Sequence, residues 1–107
     1  MRRVALSAEA RQDIKSIGRY TVAKWGKIQA EKYIEGLREQ IKFIQRMPAI
    51  GTDRSQELGG PFFSFLVGSH IIYYVYDEKR INIIGILHQT MSPQIHLRQR
   101  EIDYESG

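Results

Sequence analysis

The side chains best suited to acid–base or phosphate chemistry lie in the second half of the chain, in and before the stretch GILHQTMSPQIHLRQR from Gly85 to Arg100. Cleavage of RNA by its own 2′-hydroxyl requires a general base, a cation beside the phosphate and an acid for the leaving oxygen. The candidates for these roles are His70, His88 and Arg98, with Arg100 and Tyr104 as further groups. A ribonuclease site is therefore one interpretation of the sequence.

A structural role is the simpler interpretation of the two histidines. The predicted sheet face that carries His70 and His88 holds isoleucines and tyrosines but no lysine or arginine, whereas a nuclease needs cations around the phosphate. A neutral imidazole can satisfy both of its nitrogens with local hydrogen bonds. We therefore expect these histidines to serve packing and hydrogen bonding, and keep catalysis as the alternative.

The sequence predicts no metal and no cofactor. His70, His88 and His96 are too widely scattered to suggest a shared metal ion, and the absence of cysteine excludes both a thiolate zinc site and disulfides. Gly85 is a lone glycine in a strand, which indicates close packing rather than an approach to phosphate.

Length and composition limit the protein to one small domain. The 107 residues, 42% of them hydrophobic, predict a single domain over residues 1–107, with a loose tail from about residue 98. No stretch approaches the roughly 20 apolar residues of a membrane helix, and the apolar run after Arg3 is too short for a signal peptide, so we expect a cytoplasmic protein. The net charge of +4 favours an acidic partner.

Apolar residues at helical spacing predict a helical hairpin. Ser7 is a suitable N-cap for a first helix, whose apolar row includes Trp25 as a predicted core residue and which Gly26 ends. A second helix starts at Lys27 and stops near Met47, because Pro48 disfavours helix in the residue before it.

Strands account for most of the remaining chain. They are predicted at residues 3–6, 62–67, 70–76 and 81–88, and a polar loop lies between Pro48 and Pro61. The predicted fold class is α+β, with a short N-terminal strand and a helical hairpin packed on one face of a mostly antiparallel sheet of about four strands.

Alternation along the strands predicts which sheet face meets the helices. Within the three predicted strands from Phe62 to His88, the odd-numbered positions are all apolar or glycine, so we expect that face to pack against the hairpin. The even-numbered face is still largely apolar, and one hairpin covers one face only. An open apolar face of this size typically binds a partner. The alternative is that the C-terminal segment covers it with Ile95, Leu97 and Ile102.

Several short motifs, taken in order, resemble the ParE toxins of bacterial type II toxin–antitoxin modules, within the RelE/ParE superfamily. The resemblance extends from about Leu6 to Leu97. The motifs are Tyr20-Thr21, Trp25-Gly26, Gln29-Ala30, Tyr33, Pro48, Gly51, Gly68-Ser69-His70-Ile71-Ile72-Tyr73-Tyr74, Ile86-Leu87-His88 and Met91. The resemblance implies the same RelE/ParE-like fold. Phe63 is a departure, since many relatives have arginine there.

The resemblance also implies a function. Proteins similar to this one inhibit DNA gyrase by binding it, without catalysis, and are neutralised by a ParD-like antitoxin. The antitoxin's acidic C-terminal segment wraps the toxin in a hetero-oligomer, and its other half binds operator DNA, so the toxin meets that DNA only indirectly. The RelE branch instead cuts messenger RNA on the ribosome, which corresponds to the nuclease interpretation. A degenerate, non-toxic member is a third alternative.

Two sets of contact residues follow as predictions. The antitoxin is expected on the open even-numbered face, at Ile72, Tyr74, Ile84 and Ile86. Exposure and charge suggest the segment after the last strand for part of the gyrase contact, at Met91, His96, Arg98 and Arg100.

Overall fold

The N-terminal half forms the predicted strand and hairpin. The computed structural model describes residues 1–98 and Arg100; the predicted tail positions Ile102 and Tyr104 lie outside these residues. Strand β1 (Arg3–Leu6) leads into helix α1 (Ala8–Trp25), and helix α2 (Lys27–Arg46) follows. The Ser7 hydroxyl accepts a hydrogen bond from the Ala10 amide at 3.0 Å, which confirms the predicted N-cap. No described helix has the length and hydrophobicity to cross a membrane.

The C-terminal half contains more regular structure than the sequence predicts. Its elements are a 3-10 turn (Pro48–Ile50), β2 (Thr52–Asp53), α3 (Ser55–Leu58), β3 (Phe63–Val67), β4 (His70–Tyr76), β5 (Arg80–His88) and α4 (Pro93–Leu97). The predicted polar loop therefore contains a short strand and a short helix. These are too short to leave a periodic pattern in the sequence.

The strands form one five-stranded sheet in the order β1-β5-β4-β3-β2. Among the strands of the described residues only β1 and β5 are parallel, and the other neighbouring pairs are antiparallel. The α+β class and the mostly antiparallel sheet are confirmed. The prediction of about four strands misses one, β2, because this strand pairs with β3 through only two residues, Thr52 and Asp53.

The predicted parity is wrong for β4 because of the hairpin that precedes it. Gly68 and Ser69 form a two-residue turn, so Val67 pairs with His70. Directly paired residues point to the same face, and odd-numbered residues of β3 therefore share a face with even-numbered residues of β4. Gly68 has a φ of 60°, as such tight turns require.

Parity changes again inside β5. Tyr74 pairs with Ile83 but Tyr73 pairs with Gly85, so Ile84 is the extra residue of a β-bulge. Before the bulge the odd-numbered residues of β5 face the helices, and after it the even-numbered ones do.

Two apolar clusters result, one on each face of the sheet. The helix-facing cluster joins Ala10, Ile17, Leu37, Ile41, Ile44, Ile72, Tyr74, Ile81, Ile83 and Ile86. The cluster on the other face, called here the second face, joins Phe62, Tyr73, Val75, Ile84, Leu87 and Leu97. Ile72, Tyr74 and Ile86 are therefore core residues beneath the hairpin.

The second face is covered by the chain itself, as the alternative interpretation expected. Leu97 docks there with 4% of its surface exposed, whereas Ile95 on the same helix points away and is 70% exposed. Arg54 lies over the Tyr73 ring at 5.6 Å near the other end of the face. The prediction of a broadly open apolar sheet face is wrong.

Candidate functional site

An open groove lies between α1 and the outer edge of β5. Its volume is about 1020 Å³. The lining residues come from α1, α2, the β3–β4 turn and the end of β5, namely Asp13, Ser16, Ile17, Tyr20, Thr21, Lys24, Trp25, Gln29, Tyr33, Ser69, His70, Ile86, Leu87, His88 and Met91. It is the candidate functional site.

The groove exists because β1 is shorter than β5. Pairing with β1 stops at Leu6 and Ile83, while β5 continues to His88. Beyond that point the β5 edge is met by side chains of the α1 region: the Ser7 hydroxyl donates to Ile84 O at 3.2 Å, and the Ile86 amide donates to Asp13 Oδ2 at 2.9 Å. Helix α1 therefore takes over where the strand ends, and the space beside it stays open.

Asp13 also binds Arg100 at the floor of this region. Arg100 Nη1 donates to Asp13 Oδ2 at 2.7 Å and Nη2 donates to Oδ1 at 3.1 Å, which makes a bidentate ion pair. Both side chains are about 15% exposed. Nη1 also donates to Ile84 O at 3.0 Å. A Cβ added to Gly85 would lie 2.5 Å from Arg100 Nη1, so glycine is needed for this approach. The predicted close-packing role of Gly85 is confirmed.

The inner end of the groove holds two imidazoles. His70 and His88 are directly paired across β4 and β5, and their rings lie edge to face with centroids 5.3 Å apart. His70 Nδ1 is 2.6 Å from the Tyr33 hydroxyl, and His88 Nδ1 is 2.8 Å from the Thr90 hydroxyl. The expected local hydrogen bond is confirmed at one nitrogen of each ring, Nδ1, but not at Nε2.

The two histidines differ in their hydrogen bonds and surroundings. The Thr90 amide donates to His88 Nδ1 at 3.2 Å, so this nitrogen is an acceptor and the proton of the neutral ring sits on Nε2. Burial lowers the pKa of His70, the nearby His88 lowers it further, and Asp13 opposes them. His70 is therefore held neutral at pH 7.

The outer end of the groove is aromatic. Trp25 is 64% exposed and Tyr20 is 60% exposed, and the Lys24 ammonium lies 5.7 Å from the centre of each ring. The prediction that Trp25 packs in the core is wrong. Thr21 is the last buried residue of the α1 row that packs on the sheet. Helix α1 continues for one more turn past the end of the sheet, so Trp25 is left exposed.

The residues predicted for antitoxin contact do not line an open face. Ile72, Tyr74 and Ile86 are buried beneath the hairpin and Ile84 is buried under the C-terminal segment, all at most 2% exposed. Ile86 is the one of the four that also lines the groove. Their predicted position is wrong because the two-residue turn before β4 and the bulge in β5 reverse the faces of these strands. Their contact with an antitoxin stays a prediction.

The four residues predicted for gyrase contact are in different environments. His96 and Arg98 are exposed at the end of α4, and Met91 is half-buried against the second-face cluster. Arg100, expected to be exposed, is instead held by Asp13. Contact between these residues and gyrase stays a prediction.

The nuclease constellation is brought together only in part. His70 and His88 meet, but Arg98 is not among the described residues that line the groove, and Lys24 is its one lysine or arginine. Within the described residues no three His, Asp or Glu side chains lie close enough to hold a metal ion.

Comparison with known proteins identifies the family. The family model for the ParE toxin of the type II toxin–antitoxin system parDE matches residues 4–93. Toxin ParE1 of Caulobacter vibrioides is 32% identical over 97 residues, covering 91% of this chain and 99% of that protein. Toxin ParE1 of Mycobacterium tuberculosis is 32% identical over 90 residues, covering 83% and 91%.

A solved structure agrees on the fold. A chain of the chromosomal ParDE TA system from P. aeruginosa superposes with a TM-score of 0.71 at 22% identity, covering 82% of this chain and 96% of that one. The segment that matches the family model, residues 4–93, includes the hairpin, all of the sheet except Arg3 and every residue that lines the groove. The chain belongs to the ParE toxin family of type II toxin–antitoxin systems.

Proposed function

We propose that this ParE-type toxin inhibits DNA gyrase by binding it, without catalysis, and that a ParD-like antitoxin neutralises it by placing a segment in the groove between α1 and β5. The observation that carries the antitoxin part is the groove itself, open along its length and aromatic at one end. The gyrase target rests on the family resemblance. The proposal places the toxin in the cytoplasm with its target.

The composition of the groove suits an amphipathic acidic segment. Trp25 and Tyr20 offer large apolar surfaces whose burial supplies affinity, at about 25 cal/mol per Å² before association costs. The net charge of +4 favours encounter with an acidic partner. The antitoxin would bind operator DNA with its other half, so the hetero-oligomer would reach DNA only through the antitoxin.

Substitution at the aromatic end tests the groove as the antitoxin site. The partner is the short acidic protein that we expect the adjacent upstream reading frame to encode. We expect Trp25→Ala to weaken its binding by about 2 kcal/mol, or about 30-fold in Kd, measured by isothermal titration calorimetry.

The matched control is Ile28→Ala, because Ile28 is 73% exposed at the start of α2 but does not line the groove. Its Kd should stay within a factor of two or so of the wild type, as expected for an exposed side chain outside an interface. Equal effects of the two substitutions would contradict the proposed site.

Two activity assays separate binding from catalysis. We expect the purified toxin to inhibit supercoiling by gyrase and to leave messenger RNA intact in a translation extract. The commitment of both Nδ1 atoms to internal hydrogen bonds supports this, since they are less free to act as general bases. Cleaved messages that become intact with His88→Ala would establish the ribonuclease alternative. Inactivity in both assays would favour a degenerate member kept for partner binding.

A further inference from the structure

The histidine end of the groove has two ring nitrogens that the described residues leave unused. Each Nδ1 is engaged inside the protein, His70 with Tyr33 and His88 with Thr90. Within residues 1–98 and Arg100, neither Nε2 atom makes a hydrogen bond to the protein, and both rings line the groove. His88 Nε2 thus offers an N–H to a ligand, and His70 Nε2 offers a second when the Tyr33 hydroxyl donates to Nδ1.

The charges around this point favour an anion. Asp13 is the acidic residue of the groove lining, and its oxygens already accept bonds from Arg100 and from the Ile86 amide. Lys24 adds positive charge farther along the groove. An incoming carboxylate would therefore meet two imidazoles and little uncompensated negative charge.

We propose that His70 and His88 form a carboxylate-binding subsite, which holds an acidic side chain of the antitoxin segment in the groove while His70 takes up a proton. This inference rests on the proposed antitoxin site. Ring centroids 5.3 Å apart place both imidazoles close enough to share one carboxylate, each ring bonding one of its oxygens.

The hydrogen bonds assign different roles to the two rings. The contact between His70 Nδ1 and the Tyr33 hydroxyl accommodates either direction. The hydroxyl can donate to an unprotonated Nδ1, and in protonated His70, Nδ1 donates to the Tyr33 oxygen while the hydroxyl donates to Val67 O, 3.3 Å away. His88 has no equivalent freedom, because its Nδ1 would have to give up the Thr90 amide. His70 is therefore the ring whose hydrogen bonds can rearrange to admit a second proton, and His88 supplies the other hydrogen bond to the carboxylate.

The direction of the pH dependence follows from linkage. A carboxylate beside His70 favours its charged form, so the pKa of His70 is higher in the complex than in the free toxin. The groups that face His70 are His88 from β5, Asp13 from α1 and Tyr33 from α2. Binding takes up a proton, so affinity increases as pH falls and the gain is lost as pH rises through the pKa of the complex. With one proton taken up, Kd changes by at most about tenfold per pH unit.

Titration calorimetry of the toxin with its antitoxin, at pH 6 and pH 8 and in buffers of different ionisation enthalpy, tests the proposal. We expect binding about tenfold tighter at pH 6 for the wild type, with uptake of up to one proton. His70→Asn keeps an oxygen acceptor for Tyr33 but cannot ionise, and should remove most of this pH dependence. His96→Asn, on exposed α4, is the matched control and should leave it unchanged.

The substitutions His88→Gln and His88→Ala test whether His88 donates a hydrogen bond to the carboxylate. Glutamine retains an N–H near the position of Nε2 and should keep the pH dependence with a Kd within about threefold of the wild type, whereas alanine should weaken binding about tenfold at both pH values. NMR titration of the three histidines, with His96 as internal reference, should show the pKa of His70 rising in the complex.

The possible failures are distinguishable. A complex that forms normally but takes up no proton, or whose pH dependence survives His70→Asn, would overturn the carboxylate subsite and leave the groove assignment intact. Failure to form any complex, or full affinity in Trp25→Ala, would overturn the proposed antitoxin site and this inference with it.

Discussion

The two faces of the sheet are both buried, but by very different means. The helix-facing side is covered by α1 and α2, two helices of 18 and 20 residues that follow one another directly in the chain. The second face is covered by α3 and α4, helices of four and five residues, together with the Asp13–Arg100 ion pair. A short helix has little stability of its own.

The difference indicates which cover can open. The hairpin brings a continuous stripe of apolar side chains and is part of the main core, so its loss means global unfolding. The α4 segment is anchored by Leu97 and by one ion pair across 87 residues of sequence, so it can detach as a local unit. The four predictions below test this contrast, from the largest expected effect to the smallest.

Truncation in the helix-facing core should have the largest effect. Leu37 is 1% exposed, and we expect Leu37→Ala to lower the free energy of unfolding by about 3 kcal/mol because it removes buried contacts and leaves a cavity. Urea denaturation measures this. Val22→Ala on the exposed side of α1 should change it by no more than about 0.5 kcal/mol.

Truncation under the second face should have a smaller and more local effect. We expect Leu97→Ala to cost about 2 kcal/mol, with faster hydrogen exchange in α4 and little change in α2. Ile95→Ala, on the exposed side of the same helix, is the control and should be nearly neutral. Equal losses of protection in α2 and α4 would show that both faces open together.

The ion pair should contribute measurably, unlike the surface pairs. A double-mutant cycle with Asp13→Asn and Arg100→Met should give a coupling of about 1.5 kcal/mol, since both groups are largely buried and doubly hydrogen-bonded. The same cycle at Glu35 and Arg38, both more than half exposed, should give no more than about 0.5 kcal/mol. Similar couplings would contradict an anchoring role for Asp13.

Removal of one hydroxyl on the helix-facing side should have the smallest effect. The Tyr74 hydroxyl donates to Pro48 O at 2.7 Å and accepts from the Gly51 amide at 3.0 Å, so Tyr74→Phe should cost about 1 kcal/mol. Burial raises the pKa of Tyr74 to about 12, above the ordinary value of 10. Its contribution is therefore complete below pH 10 and is lost as pH rises toward 12, and Tyr74→Phe should reduce this alkaline loss of stability in denaturation curves.

Much of the candidate site could be named from the sequence, but its shape could not. The pairing of His70 with His88 is predictable, because both lie at the ends of neighbouring strands. The groove is not, because it depends on how far β1 extends along β5 and where α1 then crosses the strand edge. Trp25 continues a helical row and looks like core, and only the end of the underlying sheet exposes it.

The sequence by itself determined the local elements: the capped first helix, the break at Gly26, the strand boundaries and the order of an α+β fold, because spacing, capping and turn chemistry act between near neighbours. Tertiary structure alone decided which faces are buried. The two-residue turn exchanges the faces of β4, the bulge at Ile84 exchanges those of the rest of β5, and Asp13 meets Arg100 only after the whole sheet has formed. These are relations between distant segments, and no local pattern records them.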